Sequence, residues 1–126
     1  MSWTDIIKNN LLGSGFVTKG AIVGFDGSVW AKSDNFAITT EEAVIAGKAF
    51  EQYDALLGTG LRFEGQKYLI LNADEDRIIG KQGASGFFVY KTGKAVIIAT
   101  YEQGLQPEMC SKVVGALADY FKGVGY

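Results

Sequence analysis

Apolar residues recur at helical spacing at the start of the chain, at Trp3, Ile6, Ile7 and Leu11, with Ser2 and Asp5 spaced as a capping box ahead of them. This predicts a helix stopped by Leu12-Gly13-Ser14-Gly15. From Val17 to Phe25 the chain is rich in β-formers, Asp26-Gly27 supplies a tight hairpin signal, and Ser28 to Lys32 returns as a partner strand carrying Trp30. Thr39 and Glu42 then form a second capping box, before a helix whose face carries Ala43, Ala46, Phe50 and Tyr53.

Beyond Gly58-Thr59-Gly60 the period changes to that of strands. β-like runs cover Leu61 to Glu64, Lys67 to Asn72, Arg77 to Lys81, Phe87 to Lys91 and Ala95 to Tyr101, with short Gly- and Asp-bearing turns between them. Connections that short favour antiparallel neighbours over βαβ crossovers. Pro107 suits the first turn of a final helix from Glu108 to Lys122, since its missing N–H costs nothing there. Cys110, Val114, Leu117 and Phe121 mark the apolar face of that helix, flanked by Met109, Val113 and Tyr120, and Gly123 stops it. The order helix, hairpin, helix, meander, helix predicts an α+β domain on a central antiparallel sheet.

Composition narrows the class. At 126 residues, 48% apolar and 21% charged, the chain suits one folded domain with one core. Asp5 and Lys8 interrupt the apolar residues at the start, so nothing there reads as a secretion signal, and no run suffices to cross a bilayer. The single cysteine, Cys110, cannot form an internal disulfide, and the expected location is the cytoplasm. The net charge of −2 conceals an asymmetry: residues 1–76 carry six basic and eleven acidic side chains, whereas residues 77–122 carry six basic and three acidic ones. That pattern is either scattered solvated charge or a face for an acidic partner.

With no histidine and one cysteine, the chain lacks the Ser-His-Asp and Cys-His systems and the usual transition-metal sites, so no catalytic residue, metal or cofactor is expected. Asp74-Glu75-Asp76 reads as an exposed acidic turn without calcium-loop spacing, and Gly13-Ser14-Gly15 lacks the lysine of a phosphate loop. The aromatics are more informative. Trp3 and Tyr126 sit where chain ends normally fray, which is an odd place for core residues. Helices packed side by side near Trp30 would gather Trp3, Trp30, Tyr120 and Tyr126 into one shallow surface. Such a surface suits a polyproline II ligand, whose rings stack on aromatic faces while its free carbonyls accept from indole and phenol groups.

Met1-Ser2-Trp3, Leu11-Leu12-Gly13-Ser14-Gly15, Gly65-Gln66-Lys67-Tyr68, Leu117-Ala118-Asp119-Tyr120 and the ending Gly123-Val124-Gly125-Tyr126 closely resemble the profilin family, most of all the short profilins of amoebae and fungi. The resemblance runs in order through residues 1–126 as a single domain. It implies N- and C-terminal helices packed together on one face of the sheet, with further short helices on the other. Implied partners are monomeric actin, proline-rich proteins such as formins, and phosphoinositide lipids. It also implies promotion of nucleotide exchange on actin and a cytoskeletal role as a monomer, with no nucleic-acid partner.

By position, the resemblance puts Trp3, Ile6, Trp30, Tyr120 and Tyr126 in a proline-rich-peptide site, with Ile6 standing where many relatives have a tyrosine. It puts Lys81, Lys91, Lys94, Tyr101, Met109, Lys112 and Val113 on an actin face. Asn72 stands where many relatives have an arginine, and the turn around Arg77 is more acidic than the family's usual one. The alternative from the residues alone is a small-ligand sensor domain, since α+β folds of this kind also host such pockets. A carboxylate- or lysine-based enzyme is a third reading.

Overall fold

The computed structural model describes residues 2–126. Ser2 caps the first helix by accepting from Asp5 N at 3.1 Å, and the helix, α1 (Trp3–Ile6), runs on into a π-helical turn, Ile7–Leu11, and a 3₁₀ turn, Leu12–Ser14. The chain therefore loosens and then tightens within a few residues, while Ile6, Ile7 and Leu11 stay buried.

Among the described residues the strands are β1 (Lys19–Gly24), β2 (Val29–Lys32), β3 (Leu61–Phe63), β4 (Gln66–Ala73), β5 (Arg77–Gln82), β6 (Ser85–Lys91) and β7 (Ala95–Tyr101). They form one antiparallel sheet in the order β2-β1-β7-β6-β5-β4-β3. The first hairpin thus lies against the last strand, and the chain's two halves meet at the middle of the sheet. The Asp26-Gly27 turn is wider than a two-residue hairpin. Gly27 N donates to Gly24 O, Gly24 N donates to Ser28 O, and Gly27 takes φ +91°, the left-handed conformation that favours glycine.

The meander strands fall where the sequence puts them to within a few residues. β7 is buried along its whole length, which explains its unbroken apolar run. Ala95, Ile97, Ala99 and Tyr101 face one core layer, and Val96 and Ile98 face the other. The first layer is covered by α1 and by α4 (Pro107–Gly123), through Ile6, Ile7, Leu11, Val114, Leu117 and Phe121. The second is covered by α2 (Thr40–Lys48) through Ala43 and Ala46, packed with Phe36, Phe63 and Phe87. The terminal helices share one face of the sheet, as expected.

Two local features depart from the sequence pattern. The second helix is expected to run on through Tyr53, but it ends at Lys48 and continues as 3₁₀ turns, Ala49–Glu51 and Tyr53–Ala55, before the short α3 (Leu56–Thr59). The tightening keeps Ala49 buried and Phe50 and Tyr53 against the α2 layer. The Thr39/Glu42 capping box does form, and the buried Glu42 carboxylate also accepts from Glu64 N at 2.9 Å and Gly65 N at 2.8 Å. One carboxylate thus pins the start of α2 to the β3–β4 turn.

Candidate functional site: an aromatic strip and an open sheet face

Three local devices bring the aromatic residues together. The capped first turn of α1 fixes Trp3. A β-bulge fixes Trp30: Ala21 pairs with Lys32 and Ile22 with Ala31, but Val23 pairs with Val29, so Trp30 is the extra residue on β2. Bulges of this kind bend a strand and re-aim a side chain. Main-chain bonds fix Tyr126, whose carbonyl oxygen accepts from Thr92 Oγ1 at 2.8 Å and Lys94 N at 2.6 Å while its N–H donates to Phe121 O at 2.7 Å.

The resulting ring geometry is close. Trp3 lies 5.1 Å from Trp30 and 5.0 Å from Tyr126, centroid to centroid, the latter edge-on, and Trp30 lies 6.3 Å from Tyr126. Trp3 also meets Phe121 edge-on at 5.5 Å. The pair Trp3–Trp30 is tilted, and the edge-on pairs at such spacings are a favoured aromatic arrangement. Trp3, Trp30 and Tyr126 line one open hollow; Trp3, Ile6, Tyr120, Phe121, Val124 and Tyr126 line the next. Tyr120 is 56% exposed and joins the strip through Phe121, 6.3 Å away, whereas Ile6 is only 8% exposed and forms part of its floor. All five residues of the expected peptide site are therefore contiguous.

The second set of residues does not form one patch. Tyr101 is buried, its ring against Phe88 at 5.8 Å. The Lys94 ammonium stands 5.4 Å from the centre of the Tyr126 ring, at the aromatic strip, and Lys91 stands over Phe25 at 5.8 Å. Lys81 is exposed on β5. Met109 and Val113 are half-buried and Lys112 is exposed on the first turns of α4. Glu75 and Asp76 line a hollow together with Lys91 and Lys122, so the charge asymmetry along the chain does not fold into a uniformly basic face.

The sheet itself adds what the sequence did not single out. Leu69 and Leu71 on β4 are 67% and 61% exposed, and Leu69 pairs directly with Lys81. Burial alternates along Tyr68, Leu69, Ile70 and Leu71, but all four are apolar, so the sequence does not reveal which face is open; a second bulge follows at Leu71. The Tyr90 hydroxyl meets Ser111 Oγ at 2.6 Å, locking β6 to α4 one residue before Lys112. Cys110 is buried and its thiol is pushed up to about 12, which leaves it protonated and unreactive.

The family model for profilin matches residues 1–126. The chain belongs to the profilin family. It is 75% identical to profilin-3 of Caenorhabditis elegans across the full length of both chains. Among solved structures it is similar to profilin IB of Acanthamoeba castellanii, with a TM-score of 0.95 and 40% identity over 99% of this chain and 100% of that one. Two more distant structures share the fold, both at 22% identity. One is mouse profilin IIa in complex with a double repeat from the FH1 domain of mDia1 (TM-score 0.75, covering 94% of this profilin and 95% of that chain). The other is a LokiProfilin2 and rabbit actin complex (TM-score 0.73, 98% of each chain).

Proposed function

We propose that this profilin binds monomeric actin on one surface and a proline-rich segment of a partner on another, regulating actin assembly and nucleotide exchange on actin in the cytoplasm. It acts by binding rather than by catalysis. The observation that carries the reading is the close cluster of Trp3, Trp30 and Tyr126, whose rings lie 5.0 to 6.3 Å apart at the surface. A polyproline II helix rises about 3.1 Å per residue and has no internal hydrogen bonds, so pairs of prolines match this spacing and free carbonyls meet the indole donors. The ligand is already extended, so little entropy is lost when it docks.

For actin we assign the open sheet face around Leu69, Leu71 and Lys81, together with Lys112, which is exposed near the start of α4. Apolar side chains this exposed beside a lysine have the makeup of an interface centre with a charged rim. Tyr101 supports this face from within, and Lys94 belongs with the aromatic strip. Complex formation in two other profilins, one with an FH1 repeat and one with actin, is consistent with both assignments.

The test is a pair of measurements on the purified protein. It is expected to slow spontaneous assembly of actin and to change its tryptophan fluorescence on titration with poly-proline. A protein that did neither would have a different function.

A further inference from the structure

Tyr90 stands on β6 directly across from Arg77 on β5, and its side chain packs against the core layer beneath α4. The ring passes Gly115, where an added Cβ would stand 3.3 Å from Tyr90 Cε2, and the hydroxyl ends 2.6 Å from Ser111 Oγ. Ser111 and Gly115 are four residues apart and so share one face of the helix. A tyrosine is therefore laid along one turn of α4, and a glycine that helix propensity disfavours makes room for it.

The polar end of that ring is met from both sides. The phenol oxygen of Tyr90 holds the Arg77 guanidinium above its ordinary range, and Asp74 Oδ2 lies 4.0 Å from Arg77 Nε. A guanidinium only donates, so the phenol proton is left for Ser111. Asp74, Arg77, Tyr90 and Ser111 thus run in one line from the β4–β5 turn to the start of α4. That start has little else to fix it: Gln106 gives no side-chain cap, and among the described residues the Ser111 bond is the one side-chain hydrogen bond that α4 makes. The remaining hold on the helix is apolar packing, through Cys110, Val114 and Leu117, which is not directional. A hydrogen bond is directional, so it sets the rotation that packing leaves loose.

We infer that Tyr90 is a positioning residue for the actin surface: through Ser111 it fixes the start of α4 against β5 and β6, and so presents Lys112 in register with the open sheet face. The inference rests on the assignment of that surface to actin. Tyr90 acts without touching the partner, by ordering beforehand a surface that would otherwise have to be ordered on binding.

The test measures actin affinity for Tyr90→Phe and Ser111→Ala, which each remove one oxygen, for the two combined, and for Ser111→Thr, which keeps the hydroxyl. Each single variant is expected to bind actin about threefold to tenfold more weakly, the range that one net hydrogen bond allows. The combined variant is expected to be no weaker than the worse single one, because both changes remove the same contact. Ser111→Thr is expected to stay within about twofold of the parent, as its hydroxyl can make the same bond. Lys112→Ala is expected to cost less affinity in the Tyr90→Phe background than in the parent. Poly-proline affinity is expected to be unchanged throughout, which also reports that each variant is folded.

Unchanged actin affinity in Tyr90→Phe, even with lowered stability in urea, would make the tether merely structural and overturn the inference while the actin reading stands. Losses that add in full in the combined variant, or an equal cost of Lys112→Ala in both backgrounds, would overturn it in the same way. If the parent protein does not bind actin, the actin reading itself fails and the inference falls with it.

Discussion

The indole of Trp3 lies 5.1 Å from that of Trp30, the two planes inclined at 44°, although one residue comes from the first turn of α1 and the other from a bulge on β2. Each ring is a wall for the other, so the strip is a cooperative unit. Trp3→Ala is expected to abolish poly-proline binding and to leave actin affinity within about threefold of the parent, because an alteration at one surface should add independently to the other. Calorimetric titration with each ligand checks this. Loss of both in a folded protein would contradict separate sites.

Actin association should depend on charge at the edge of the sheet face. Lys112→Glu is expected to slow association with actin and to weaken its dependence on salt, since rim charges act mainly on encounter rates. Stopped-flow association at two ionic strengths reads both effects. Unchanged kinetics would remove Lys112 from the interface.

Gly47 faces the first hairpin so closely that an added Cβ would stand 2.4 Å from Gly24 O. Helix propensity alone would make Gly47→Ala stabilising by up to about 1 kcal/mol, but the clash is with backbone and cannot swing away. The variant is expected to be destabilised by about 2 kcal/mol, in the range of overpacking. In α3, Gly58 has nothing within 4 Å of its Cβ position, so Gly58→Ala should be neutral or stabilising by up to about 1 kcal/mol. Urea unfolding of both variants decides whether close packing or propensity governs each site.

The structure is legible from sequence where one local signal has one outcome. Pro107 opens the last helix, Thr39 and Glu42 form their box, and the meander strands lie within a few residues of their β-like runs. What stays hidden are the places where tertiary packing overrides the pattern. The spacing of Ile6, Ile7 and Leu11 is compatible with an α or a π turn, and packing against the sheet selects the π turn. Trp30 lies on the expected strand, but nothing in Ser28 to Lys32 reveals the bulge that aims it. Residue type does not show that Tyr101 is buried while Leu69 and Leu71 are exposed, because which face of a strand is covered depends on how the helices pack on the sheet. The aromatic strip was readable because its residues sat where core residues are not expected. The open sheet face was readable only in part.

Glu42 shows how much one residue can carry. Its buried carboxylate accepts three main-chain N–H groups, from Thr39, Glu64 and Gly65. Glu42→Ala leaves those donors unpaired and is expected to cost about 2 kcal/mol or more. Hydrogen exchange should show faster opening of the β3–β4 turn first, while the aromatic strip stays protected.

Stability should fall on the acid side. Hydrogen bonds from Ser28 hold the Asp26 carboxyl below its ordinary range, and N–H bonds from Asp76 and Arg77 do the same for Asp74. For Glu64 burial pushes upward, but hydrogen bonds from Lys19 Nζ and Ala37 N outweigh it and the carboxyl is also lowered. Groups lowered in the folded state contribute stability that is complete above their unfolded values and is lost as pH falls through the folded ones. Melting temperature should therefore decline as pH falls through and below the ordinary carboxylate range. Glu64→Gln should flatten part of that decline; an unchanged acid slope would show that Glu64 carries no such stability.

The central claim is that one chain holds two ligands on separate surfaces. Calorimetry of poly-proline binding to the free protein and to the protein saturated with monomeric actin tests it most directly. Separate surfaces predict dissociation constants that agree within about threefold, under 1 kcal/mol of coupling. An affinity for poly-proline weakened by about tenfold or more in the presence of actin would show that the two ligands compete, and would contradict the account.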